Sequence, residues 1–534
     1  MKGYVVKSGL FSVFVSGLSE KLSLCDRLIL SNNVSKLEST LSEISEDLYY
    51  INDVLELQIK EFNESLCNIL IKTLIYPIAI SSLGSINHSA HHLSIPLSGT
   101  ILYHILKIVK NPDLNNALTM GILSKLIPEP LASLLQEAPS PNIRQSDKYL
   151  EASLHFLDKL EGFPSSEALV PNQVPDIIFS FLTSKDNNLI GTTLILLHTI
   201  INSVSVSNNL LLAAGLISYE KLKIKNLLNN ILDTRDYSAT YCNQAVEALI
   251  GLLEYEHPLR LFLFKLACKV LISLTFRKEQ SICLGPNHQS ILNRALLRSI
   301  QNLQEFLTDD SEYDEFFEVF KSEWKTLSVP EPKLSNLVHL LLPYNEELEG
   351  VPLEYRNPLN DSEALRCEIS RFFAIWSVKL ALCKDNSIFP LSVYPLYHLS
   401  NAVIWEKGKS YNLKNKNLVK CVVKLKKNEE NFFYASDADF FLLAIPDPKY
   451  EDFYLIKFVE SLINVETMQD RADPRRLVLM INSNSEPFNI IFNDPQQCLW
   501  TLREISGSKQ SCRERYITLV STLFDQLTSK ISEL

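Results

Sequence analysis

The sequence predicts a mainly α protein, a long helical array followed by a small β module that a helix closes. Three observations carry this. Up to about Asp385 apolar residues recur at helical spacing, segment after segment. Beyond it the period becomes two, as in Leu418-Val419-Lys420-Cys421-Val422-Val423-Lys424-Leu425, and one last helical pattern follows. Glycine is scarce, 14 in 534 residues, where average usage predicts roughly 40. That scarcity disfavours the glycine-rich loops of dinucleotide and P-loop sites and fits helices joined by short polar turns.

In chain order, Leu10-Phe11-Ser12-Val13-Phe14-Val15 reads as an apolar helix rather than a secretory leader, because Lys7 interrupts its start and no small-x-small site follows. Leu37, Leu41, Ile44, Leu48, Ile51 and Leu55 form a heptad seam whose phase slips at Ile59, Phe62 and Leu66. This predicts a long helix packed within its own domain. Two stretches lack charge, Thr73 to Leu106 and Asn187 to Tyr219. Pro77, Gly84, Pro96 and Gly99 interrupt the first, and polar residues the second, so both read as central core helices rather than membrane spans.

Further helices are predicted at Leu97–Val109, Asn115–Ile127, Lys148–Leu160, Val174–Thr183, Asn188–Val206, Tyr219–Leu232, Tyr237–Tyr255, Pro258–Thr275 and Gln289–Leu307. Without strict self-similarity, irregular helix pairs point to an armadillo/HEAT-like α-solenoid. Tyr313, Phe316, Phe317, Phe320 and Trp324 form one stripe on an acidic helix. Core packing is the ordinary reading of such a stripe; Phe316, Phe317, Phe320 and Trp324 are also candidates for docking a partner. Glu363–Leu382 is the last helix of the array.

The candidate strands are Leu418–Leu425, Asn431–Ala435, Phe440–Ile445, Phe453–Val459, Leu477–Ile481 and Phe488–Phe492. A helix follows toward Leu527, with Asn493 or Asp494 as N-cap, Pro495 in its first turn, and a break at Ser506-Gly507-Ser508. This is the plan of a pleckstrin-homology-like (PH-like) β-barrel capped by a helix. The expected division is 1–127 helical, 128–147 linker, 148–384 helical solenoid, 385–412 linker and 413–534 PH-like domain.

A net charge of −11 argues against nucleic acid as a partner. The ten cysteines are scattered without a CxxC pair and read as reduced, buried thiols of a cytoplasmic protein. None of GxSxG, HExxH, GxxxxGK[ST] or GxGxxG occurs, so neither catalytic nor cofactor-binding residues are assigned, and no cofactor is expected. His88, His91 and His92 have ligand spacing but sit in a loop context without a nearby carboxylate or thiol to complete a metal site.

The suggestive feature is basic. Lys407, Lys409, Lys414, Lys416, Lys420, Lys424, Lys426 and Lys427 occur with no acid between Lys407 and Lys427. On the strand, Lys420, Lys424 and Lys426 share the face opposite Val419, Cys421, Val423 and Leu425. Lys414, Lys416, Lys420, Lys424, Lys426 and Lys427 are therefore candidates for contact with an anionic membrane or an acidic protein. The plainer alternative is a solvated strand whose lysines guard a sheet edge.

Leu48-Tyr49-Tyr50-Ile51-Asn52-Asp53-Val54-Leu55, with Phe62-Asn63-Glu64-Ser65-Leu66 and Leu74-Ile75-Tyr76-Pro77, resembles the FPL-domain or endosomal-maturation (Ema) family. That family includes C-type lectin domain family 16 member A-like proteins and the plant Transparent Testa 9 proteins. The likeness continues at Ile95-Pro96-Leu97, at Phe316-Phe317-Glu318-Val319-Phe320-Lys321-Ser322-Glu323-Trp324 and at Arg371-Phe372-Phe373, and reaches the Lys420 strand.

The resemblance implies a non-enzymatic scaffold that regulates endosome-to-lysosome (vacuole) trafficking and autophagy. It would act through endosomal tethering proteins and small GTPases of the Rab type, peripherally on late endosomal, lysosomal or vacuolar membranes. It also implies a further FPL region ahead of this sequence, with Leu10–Val15 in its last helix. A protein-only adaptor for an acidic partner, and a factor associated with ubiquitin ligation or nucleotide exchange, stand as alternatives. Oligomeric state is not legible.

Overall fold

The computed structural model describes residues 9–84, 93–136, 169–214, 216, 245–254, 259–276, 286–307, 313–326, 341, 351–382, 405–425, 428–437, 439–481 and 487–532. The described residues are mostly helical, with an eight-stranded sheet near the C-terminus. The chain divides into two compact units: Met1–Ser299 with Thr326–Asp385, and Ile300–Lys325 with Asn386–Leu534.

The first unit opens with α1 (Leu10–Leu30) and α2 (Val34–Glu56). Asn32 takes a positive φ of 52° in the turn between them, a conformation Asn tolerates, and Asn33 caps α2 by accepting from the Lys36 N–H. Every residue of the heptad seam is buried: Leu37, Leu41, Ile44, Leu48, Ile51 and Leu55. The seam packs against α1, which buries Val15, Leu18, Leu22 and Cys25.

α3 runs over Lys60–Gly84 and is π-helical from Ile71 to Ile80. Pro77 lies inside that segment. It has no N–H and crowds the preceding turn, and the wider π register accommodates it. α3 is the one described helix long and apolar enough to cross a membrane by length and composition, but 72% of its apolar window is buried within the fold. It is a core helix: the Tyr76 hydroxyl donates to the Ala117 carbonyl at 2.8 Å in full burial.

α4 (Ile95–Ile108), α5 (Pro112–Leu123), α6 (Glu129–Gln136), α7 (Val174–Phe181), α8 (Asn187–Asn202), α9 (Asn208–Ala213), α10 (Leu261–Phe276), α11 (Pro286–Phe306), α12 (Tyr313–Thr326) and α13 (Asp361–Leu382) follow. A packed row runs α2–α4–α8–α10–α13 through the first unit. At the α4–α8 crossing a Cβ on Gly99 would lie 2.1 Å from Thr192 Cγ2, so glycine sets the approach of the two helices.

The expected linker 128–147 needs correction. Leu126–Pro128 forms β1, paired antiparallel with β2 (Leu169–Pro171), and α6 starts at once. Pro128 ends a strand and Pro130 sits in a helix first turn, where its missing N–H costs nothing. Predicted helices Lys148–Leu160 and Tyr219–Leu232, and the His88, His91 and His92 cluster, lie outside the described residues.

In the second unit the strands are β3 (Ser410–Asn412), β4 (Val419–Leu425), β5 (Asn428–Ser436), β6 (Phe440–Pro446), β7 (Phe453–Ser461), β8 (Val465–Gln469), β9 (Arg476–Ile481) and β10 (Phe488–Phe492). All pair antiparallel, in the order β3-β7-β6-β5-β4-β10-β9-β8. Two meanders thus join through β4 and β10. One core takes Cys421, Val423, Phe432, Tyr434, Phe441, Leu443, Leu477, Leu479, Ile490 and Phe492 from the sheet, and Cys498 and Ile505 from α14 (Pro495–Ser532). Asp494 caps α14, accepting from the Gln497 N–H at 2.8 Å.

Four expectations for this unit change. β3 and β8 were not foreseen. The module begins before residue 413: Trp405 is buried on a second apolar cluster with Leu413, Ala435, Leu442, Ala444 and Ile456. α14 does not break at Gly507; Ile505 and Cys512 hold both flanks in the core, which outweighs a glycine penalty of about 1 kcal/mol. Finally, the aromatic stripe of α12 is core, and does not present a docking face. Phe316, Phe317 and Phe320 are 0%, 3% and 1% exposed. Phe317 packs on Tyr516 and Phe320 on Phe524 of α14, because a stripe this apolar buries itself on the nearest apolar helix. The Trp324 side chain lies outside the described ones.

Candidate basic face of the C-terminal sheet

β4 lies between β5 and β10, so it is a central strand and its lysines guard no edge. Its period-two alternation sends Cys421 and Val423 into the core at 1% and 2% exposure and leaves Lys420 and Lys424 exposed on the other face, with Val422 half-buried between them. Lys424 stands opposite Glu429 on one side and Asn489 on the other; Lys420 stands opposite Phe433.

The rest of the basic run is dispersed by folding. Lys414 pairs with Asp452 at 3.0 Å, and Lys409 with Glu406 at 2.7 Å. Lys416 pairs with Asp437, which also accepts from the Trp405 indole N–H at 2.8 Å. Lys426 and Lys427 lie outside the described residues. Of the six candidates, Lys420 and Lys424 are thus the two set on one outward face of the sheet.

Register adds residues that sequence reasoning missed. Ile491 of β10 lies opposite both Val422 and Arg476, so Arg476 of β9 shares the lysine face two strands from β4, about 10 Å across the sheet. It pairs with Asp470 at 3.0 Å. Val478 and Met480 alternate with the buried Leu477 and Leu479, and Met468 of β8 lies opposite Val478. Met468 is 56% and Met480 36% exposed. The face therefore grades from lysines on β4 to exposed methionines, with the exposed Glu466 beside them, on β8 and β9. No sequence signal places Arg476 beside β4, since that proximity depends on the β4–β10–β9 pairing.

Burial pushes the Cys421 and Cys512 thiols up to about 12, as it does those of Cys25 and Cys67, which makes them poor nucleophiles and metal ligands. Among the described residues no group of three or more His, Cys, Asp or Glu side chains could hold a metal ion.

Fold and face together define a mainly helical protein carrying an antiparallel sheet module with two lysines on its outer face. No family model matches the chain. Curated relatives do, and they are CLEC16A proteins, in line with the resemblance read from the sequence. The chain is 22% identical to the Drosophila melanogaster protein CLEC16A homolog over 58% of its own length, and 20% identical to Mus musculus protein CLEC16A over 92%. It is 22% identical to Homo sapiens protein CLEC16A over 57%. It spans 28%, 55% and 30% of the lengths of those relatives.

Among solved structures, the PDZ-RhoGEF DH/PH domains in complex with GTP-gamma-S activated RhoA match at 11% identity and a TM-score of 0.17, over 53% of this chain and 85% of that one. The DH/PH domains of p115-RhoGEF match at 11% and 0.17, over 77% and 97%. At such TM-scores the likeness carries no argument.

Proposed function

We propose that this chain is a non-enzymatic, irregular armadillo/HEAT-like scaffold that regulates endosome-to-lysosome or vacuole traffic and autophagy. It acts through tethering factors and Rab-type GTPases. It sits in the cytoplasm, peripherally on late endosomal, lysosomal or vacuolar membranes, with the Lys420 and Lys424 face of its PH-like module toward the anionic leaflet. The observation that carries the reading is the similarity to CLEC16A proteins, which runs over 92% of this chain in the mouse case. The outward pair of lysines supports the membrane part.

Each basic residue near an anionic leaflet contributes about 1 kcal/mol. Two lysines therefore give at most about a 30-fold gain in affinity, enough to orient a scaffold but not to hold it there alone. The test is flotation with vesicles containing anionic lipid. Salt-sensitive flotation that falls in Lys420→Glu/Lys424→Glu supports the reading, together with loss of that variant from endosomal membranes in cells. Unchanged flotation and an unchanged, diffuse signal would sink the membrane part and favour an acidic protein partner instead.

A further inference from the structure

We infer that the outer edge of β8, flanked by the first half of α14, is a docking groove for an extended peptide of a partner protein. The peptide would add as a ninth strand, carrying an apolar side chain toward α14 and an acidic one toward Lys509.

β8 ends the strand order and has β9 as its only strand neighbour among the described residues. Its hydrogen-bond phase is fixed. The Asp470 N–H donates to the Arg476 carbonyl at 2.9 Å, continuing the register in which Gln469 faces Leu477. Bonded and non-bonded pairs alternate in an antiparallel ladder. Glu466 and Met468 therefore bond to β9, while the main-chain groups of Val465, Thr467 and Gln469 point past the sheet. The Val465 carbonyl bears this out, accepting from Lys509 Nζ of α14 at 3.3 Å. Among the described residues the outward main-chain groups of Thr467 and Gln469 have no partner.

α14 packs along β8, with Lys509 at the Val465 end and Cys498 against Gln469 at the other. Leu499, Leu502, Ser506 and Lys509 fall on one stripe of that helix. Leu502 is half-buried against the core and Leu499 is 37% exposed. Leu499 and Leu502 supply an apolar wall, and Lys509 sets a positive charge at its Val465 end. The second half of α14 is taken up by α12 through Tyr516 and Phe524, so only the first half flanks the edge. Open main-chain donors and acceptors select an extended backbone, and the flanking wall selects side chains. The edge spans about 13 Å, which suits a peptide of about five residues.

The inference is independent of the membrane reading, and the test uses the full chain. A displayed library of random peptides about seven residues long is panned on it, and enriched peptides are measured by titration and amide exchange. Enrichment of apolar–acidic sequences is expected, with new protection at Thr467 and Gln469. Thr467→Pro removes an outward N–H and no ladder bond, so the strand tolerates it. It should weaken binding at least about tenfold. Leu499→Asp should do the same, and decides the matter if Thr467→Pro does not fold. Lys420→Glu/Lys424→Glu should bind normally. Absence of enriched peptides, or peptides that bind Thr467→Pro and Leu499→Asp like the parent, overturns the inference.

Discussion

The Asp26 carboxylate on α1 accepts both the N–H of Ser94, at 3.0 Å, and its hydroxyl, at 2.6 Å. Ser94 is the N-cap of α4 and makes no side-chain cap bond of its own. The helix start is thus satisfied by a side chain 68 residues away, which also places negative charge at the positive end of the α4 dipole. Asp26→Ala should cost about 1–2 kcal/mol of stability. Asp26→Asn keeps an acceptor and should cost less. Denaturant melts of the three chains would check the order; equal stability of parent and Asp26→Ala would refute the cap.

A second prediction concerns pH. Glu363 accepts from both terminal nitrogens of Arg356 at 2.6 Å and from the Leu359 N–H at 2.9 Å. The Arg356 hydrogen bonds, and then the Leu359 amide, pull its carboxyl from 4.5 down to about 2. A folded pKa below the unfolded one contributes stability above about pH 5, lost as pH falls through 2. The pair sits near the surface, so solvent screening leaves about 1 kcal/mol. Glu363→Gln should lower stability by that amount at pH 7, by progressively less as pH falls toward 2, and by nothing well below it. Parallel melts across this window read it, and a pH-independent difference would contradict it.

The Gly99–Thr192 contact gives a third. Gly99→Ala should cost about 1–3 kcal/mol through overpacking, because its Cβ would press on Thr192 Cγ2. Thr192→Ala removes that methyl, so the double variant should recover most of the loss. A double-mutant cycle showing simple additivity would mean the helices part easily at this crossing.

How far the sequence could be read differs by element. The α2 seam was legible because one heptad repeat decides its buried face, and all six of its apolar positions are buried. β4 was legible because Cys421 and Val423 alternate cleanly with Lys420 and Lys424. β8 was not, because Val465-Glu466-Thr467-Met468-Gln469 turns Met468 to solvent and blurs the apolar alternation. The basic face was half legible. The run of lysines is visible in the sequence, but Asp437 and Asp452 reach Lys416 and Lys414 from distant parts of the chain. Arg476 enters the face only through strand pairing.

The fourth prediction separates core from docking on α12. Phe320 stacks on Phe316 at 5.6 Å and meets Phe524 of α14 edge-on at 6.5 Å. A docking aromatic would be exposed in the free chain and silent in stability; a core aromatic leaves a cavity when truncated. Phe320→Ala should therefore cost about 3–5 kcal/mol. Phe320→Leu fills much of the space and should cost less. Because Phe524 forms the other wall, Phe320→Ala and Phe524→Ala should lose less together than the sum of their separate losses, the second truncation enlarging a cavity already made. Urea titrations followed by tryptophan fluorescence, to which Trp405 and Trp500 of the second unit contribute, would report this. A Phe320→Ala chain as stable as its parent would return the stripe to the solvent and reopen the docking role.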